Sequence, residues 1–215
     1  MRMFGKLALA VCTVALSASP ALAQGRGGFG GGGAMLLVNK GVQEELKVTE
    51  DQASKLTTLS EELGGKQREA FQGLQDLSQE ERREKMTELQ KTMQAEIKKG
   101  LADILKPEQA KRFEQIQTQA MGVNAFSQPK VGEALKITAD QKEKVKEITD
   151  AQQASMQEIR QSAGDDREGT MKKINELRKE SFEKAAALLT VEQKTAWKDL
   201  TGAPFEVKFT PRPNN

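Results

Sequence analysis

The chain has no histidine and no tyrosine, and its one cysteine, Cys12, falls in an amino-terminal stretch that reads as a removable leader. Without His and Cys the usual general base, the usual thiol nucleophile and the best transition-metal ligands are missing. An exported chain without disulfides must hold itself by packing alone. Charge of one sign is also missing: the leader carries Arg2 and Lys6 and no acid, so 33 − 2 = 31 basic residues face 31 acidic ones once it is removed. A neutral balance lacks the Lys and Arg surplus that displaces counterions from nucleic acid or holds an anionic membrane. No apolar run is long enough to span a bilayer. No Gly-x-Ser-x-Gly, P-loop or metalloprotease motif occurs. Acidic pairs stand at Glu44-Glu45, Glu61-Glu62, Glu80-Glu81 and Asp165-Asp166. Most fall at helix beginnings or on polar faces, where carboxylates suit the helix dipole, and they read as solvated charge. The expectation is a non-enzyme without cofactor or metal.

At the amino end, Arg2 and Lys6 precede an apolar run from Leu7 to Leu16, and Ala21-Leu22-Ala23 precedes Gln24. These are the three regions of a secretory signal peptide, which predicts cleavage near Ala23 and a periplasmic or secreted product. Leu9-Ala10-Val11-Cys12 has Val where a lipidation signal takes a small residue, so no lipid is expected. Residues 24–39 read as a flexible Gly-rich arm. Gly25-Arg-Gly27-Gly-Phe-Gly30 matches the dinucleotide fingerprint in letters only, because no strand precedes it.

What the sequence does contain is a short pattern repeated four times: an apolar residue, Thr (once Lys), two residues, then Gln. It reads Val48-Thr49 to Gln52, Leu105-Lys106 to Gln109, Ile137-Thr138 to Gln141, and Leu189-Thr190 to Gln193. Each copy predicts a helix start, with Thr as N-cap and Gln at N3 reaching back to the amide of the cap. In the second copy Lys106 has no hydroxyl, but Pro107 suits the first helical position. The first and third copies lie 137 − 48 = 89 residues apart, the second and fourth 189 − 105 = 84. Val42 to Gln52 aligns with Val131 to Gln141, Phe113 with Trp197, and Ile116 with Leu200. Two related units of about 80 residues therefore follow one another.

Within the first unit Leu56, Leu59, Leu63, Phe71 and Leu74 recur at helical spacing, with a bend or break expected at Gly64-Gly65. Ser78 and Glu81 predict a second start, followed by a stripe of Met86, Leu89, Met93, Ile97, Leu101 and Ile104. At about 1.5 Å per residue that helix approaches 40 Å, too long for a ball of this size. The unit should be an elongated hairpin closed by a short helix from Pro107 to about Met121. The second unit repeats the plan with Val145, Ile148, Met156 and Ile159, a turn at Gly164-Asp165-Asp166, then Met171, Ile174, Leu177 and Leu188, and finally Trp197 and Leu200. Phe205-Glu-Val207-Lys-Phe209 alternates with period two, as a strand offered to a partner or, preferably, as an extended tail packed over its own helices. The divisions expected are a leader at 1–23, an arm at 24–39, helical units at 40–122 and 123–202, and a tail at 203–215.

An exported chain with helical hairpins and paired motifs 105 − 48 = 57 and 189 − 137 = 52 residues apart resembles the Spy/CpxP family of periplasmic stress proteins, marked by paired Leu-Thr-x-x-Gln motifs. The resemblance covers roughly residues 40–202. It implies an all-α fold, curved as a cradle, and an ATP-independent chaperone that binds unfolded or misfolded envelope proteins. The alternative it allows is an adaptor for one envelope regulatory partner such as a stress sensor. A metal-responsive role, known among relatives, would need His or Cys clusters. Carrying two units instead of one, the chain is expected to imitate the family's homodimer as a monomeric pseudo-dimer, or else to dimerise. A basic rim would attract clients by charge, with Arg68, Arg82, Arg83, Lys85, Lys98 and Lys99 as candidates in the first unit and Lys172, Lys173 and Arg178 in the second. Met86, Met93, Met156 and Met171 read as core, or as adaptable contacts if they face a client.

Overall fold

The computed structural model describes residues 31–74, 77–162, 164 and 166–207. The expected leader at 1–23, the part of the expected arm at 24–30 and the tail beyond Val207 lie outside them. Among the described residues every regular element is helical. In order these are α1 (Gly31–Leu37), α2 (Lys40–Glu45), α3 (Glu50–Gln72), α4 (Gln79–Ile104), α5 (Pro107–Ala120), a 3-10 helix (Gly122–Ser127), α6 (Pro129–Ala134), α7 (Ala139–Gln161), α8 (Arg167–Ala187) and α9 (Val191–Thr201).

Local chemistry sets the starts. Thr49, Ser78, Thr138 and Thr190 each accept the third amide of the following helix, and Gln52, Glu81, Gln141 and Gln193 return a bond to the N-cap amide. Asp166 caps α8 by accepting from Gly169 N. α2 and α6 end alike. Lys47 and Lys136 both sit at φ 51°, the left-handed position usually given to Gly. There Val48 N donates to Gln43 O and Ile137 N to Gly132 O, closing the same six-residue turn.

The duplication persists in three dimensions. α3 and α7 each have 23 residues. α4 exceeds α8 by 26 − 21 = 5, which is also the difference between the two repeat spacings, 89 − 84 = 5. In each unit two long helices pack as a hairpin, α3 on α4 and α7 on α8. Two hydrophobic cores result. The first gathers Leu36, Leu37, Val42, Leu56, Leu63, Met93, Ile97, Leu101, Phe113 and Ile116. The second gathers Val123, Phe126, Val131, Leu135, Val145, Ala185, Leu189 and Trp197, with Phe126, Phe182 and Trp197 in mutual ring contact.

Two expectations need correction. Residues 31–37 are not a flexible arm but a helix whose Ala34, Leu36 and Leu37 are buried, so the first core begins before residue 40. The bare backbone of Gly33 permits this, since a Cβ there would lie 2.9 Å from Gln117 Nε2 and 3.2 Å from Ile97 Cδ1. Adding 89 to residues 33–37 gives 122–126, so α1 is the counterpart of the 3-10 helix. Next, α3 runs unbroken through Gly64-Gly65. Two glycines cost about 1 kcal/mol each in a helix, and the packing of Leu56, Leu59 and Leu63 just before them offsets that cost. The preferred reading of the tail holds for its described part: residues 203–207 form no strand and cross onto the first unit, where Val207 joins the core. The remainder of that alternating segment lies outside the described residues.

Candidate functional site

The four motifs meet in pairs. At the base of the first hairpin the N3 glutamines of α3 and α5 face each other: Gln52 Nε2 donates to Gln109 Oε1 at 2.9 Å, and Gln109 Nε2 to Gln52 Oε1 at 3.3 Å. Each oxygen also accepts its own N-cap amide, Thr49 N at 3.0 Å and Lys106 N at 2.9 Å. Each amide nitrogen further donates across the pair, Gln52 to Ile104 O at 2.8 Å and Gln109 to Lys47 O at 3.2 Å and Leu46 O at 3.0 Å. Ile104 and Lys47 each stand two residues before the opposite N-cap, so the pair has internal two-fold character.

The second unit reproduces it. Gln141 and Gln193 exchange bonds of 2.8 and 2.9 Å. Gln141 Nε2 reaches Leu188 O at 2.7 Å, while Gln193 Nε2 reaches Leu135 O at 3.1 Å and Lys136 O at 3.4 Å. The motif thus makes more than four separate helix starts. Two interlocked capping boxes form a clasp that fixes where α5 leaves the α3–α4 hairpin, and likewise α9 the α7–α8 hairpin. Val48, Leu105, Ile137 and Leu189 lie beneath the clasps, all but the half-buried Val48 fully buried. Lys106, the exception to Thr, makes no side-chain cap, and Pro107 begins α5 as expected. The hydrogen bonds described for each clasp join glutamine amides to backbone groups and to each other, the geometry of a fastening.

The candidate cations are spread along the hairpins. Arg68, Arg82, Arg83, Lys85, Lys98, Lys99, Lys172 and Lys173 are exposed, and Arg178 is half-buried. Arg82-Arg83, Lys98-Lys99 and Lys172-Lys173 are neighbours in sequence, so the members of each pair point about 100° apart around the helix. Lys85 pairs with Glu88 at 3.0 Å, Arg68 Nε donates to Gly64 O, and Arg82 Nη2 donates to Leu77 O. Burial, and then the nearby Arg160 guanidinium, weaken the hold of Arg178 on its proton. A shallow open groove of about 630 Å³ follows α8 past Met171, Lys172, Asn175 and Lys179. Met93 is buried, while Met86, Met156 and Met171 are half-buried.

Among the described residues no three or more His, Cys, Asp or Glu gather as a metal would require, and no helix is long and apolar enough to cross a membrane. A second polar constellation carries no motif. Arg112 and Gln119 on α5 grip the backbone of the tail, and only the alternation at Phe205 and Val207 signals it in the sequence.

The class these features define is an all-α protein of two tandem helical hairpins, each closed by a glutamine clasp. No known protein family, curated protein or solved structure matches the chain.

Proposed function

We propose that the chain is an exported, ATP-independent chaperone of the Spy/CpxP kind, which holds unfolded or misfolded envelope proteins on its helical hairpins without catalysis. The observation that carries this reading is the assembly of all four family-like motifs into two equivalent clasps, one per hairpin. The motifs therefore act in pairs, as the paired occurrence in that family implies. Exposed cations along α3, α4 and α8 would draw clients in by charge, and the half-buried methionines would provide weak, adaptable contacts. The leader expected at residues 1–23 supports a location in the periplasm or outside the cell. Two clasped units in one polypeptide would replace a homodimer, and light scattering should return the mass of one chain.

The test is aggregation of two unrelated denatured proteins, with and without the chain from Gln24 onward and without ATP. Suppression of both near equal stoichiometry is the expected result. Suppression of neither would sink the general chaperone and leave an adaptor for one envelope partner, to be found by pull-down.

A further inference from the structure

The tail leaves the second unit and lands on the first. At Gly202 the backbone takes φ 65°, and a Cβ would fall 2.5 Å from Gln115 Oε1, so the turn that launches the tail needs glycine. Beyond it, Ala203, Pro204 and Glu206 are exposed, Phe205 is half-buried and Val207 is 1% exposed within the first core. Four hydrogen bonds hold the crossing. Gln119 Nε2 donates to Thr201 O at 2.6 Å and to Ala203 O at 2.9 Å, and Gln119 Oε1 accepts from Phe205 N at 2.8 Å. Arg112 Nη1 donates to Ala203 O at 3.0 Å, while its Nη2 pairs with Glu45 at 2.7 Å.

All four bonds go to backbone atoms, one at the end of α9 and three in the tail, and none reads a tail side chain. Sequence enters only through the apolar positions two residues apart, Phe205 and Val207. A surface that grips backbone and accepts alternate apolar side chains is how extended peptides are recognised in general. We propose that the groove bounded by Glu45, Arg112, Gln115 and Gln119 is a binding site for extended, apolar-alternating segments of other polypeptides, occupied at rest by the chain's own tail. A short tether gives the tail a millimolar effective concentration, so a free segment competes poorly until the tail is released. This site is separate from the hairpin surfaces proposed above, and either can fail without the other.

The probe is a short fluorescent peptide unrelated to this sequence, with Ile and Val two residues apart, followed by anisotropy. It is titrated into the chain from Gln24 onward, the same chain ended after Gly202, and the full-length Val207→Asp variant, with far-UV circular dichroism to follow the helices. The two tail-released forms should bind about 100-fold tighter than the parent. Adding Gln119→Ala to the shortened chain should lose about tenfold of that, because it removes donors to the backbone of the ligand. Helical released forms that bind no peptide would overturn the proposal. So would binding of a peptide copied from residues 203–210 but not the unrelated one, which would make the groove a seat for the tail of a second copy. Unfolding of both released forms would also overturn it, since the tail would then be core rather than occupant.

Discussion

Gln109 shows how much one side chain can hold. It is 8% exposed, and its amide serves Lys106 N, Gln52 and the carbonyls of Leu46 and Lys47. Truncation strands several of these groups, and a buried group left without a partner costs about 1–3 kcal/mol. Gln109→Ala should therefore destabilise the chain by about 2 kcal/mol in urea melts. Gln52→Ala should do similarly, and the double variant should fall short of the sum by about 1 kcal/mol, because the two share bonds. Full additivity would mean that the clasp is only two separate caps. Glu81 offers a test in pH. The Ser78 hydroxyl, and then the Ser78 amide, hold its carboxyl below the ordinary 4.5. A depressed folded value stabilises above the unfolded value and is lost as pH falls through the folded one. The start of α4 should thus loosen only below about pH 4.5, and Ser78→Ala should bring the NMR titration of Glu81 back up. The capping boxes were legible in the sequence because they act over three residues. The pairing of Gln52 with Gln109 was not, because it joins positions 57 residues apart and depends on how the hairpin folds.

The helices were legible wherever periodicity was long. α3, α4, α7 and α8 follow their apolar stripes, and their starts follow Thr49, Ser78, Thr138 and the turn at Asp166. α1 was not legible, because a run of glycines predicts freedom and only the surrounding core makes Ala34, Leu36 and Leu37 worth ordering. Glycines in these helices consequently fall into two kinds. A Cβ at Gly64 or Gly65 would meet nothing within 4 Å, whereas one at Gly100 would lie 2.8 Å from both methyls of Leu59. Gly64→Ala and Gly65→Ala should each stabilise by about 0.5–1 kcal/mol, the ordinary gain of Ala over Gly in a helix. Gly100→Ala should cost about 1–3 kcal/mol through overpacking. Thermal melts of the three variants distinguish the kinds; equal shifts would mean that α3 and α4 are not packed as described.

Across the whole molecule the two units share a plan but not a composition. Where the first core has Leu63 and Ile97, the equivalent positions of the second hairpin are Gln152 and Ser181, both buried. The second hairpin compensates near its base with the Phe126, Phe182 and Trp197 contacts, whose closest ring centroids are 4.7 Å apart. Its outer half is correspondingly short of apolar contact. Gln152→Leu should stabilise the chain by about 1 kcal/mol by replacing buried amide with apolar surface. Amide exchange should slow along α7 and α8 but not along α3 and α4. Trp197 has a further use. It is the sole tryptophan, no tyrosine accompanies it, and it lies in the second core. Its emission therefore reports the opening of one half of the molecule, while far-UV ellipticity reports both. The gap between those two denaturation curves measures directly how far the duplicated halves remain one cooperative body.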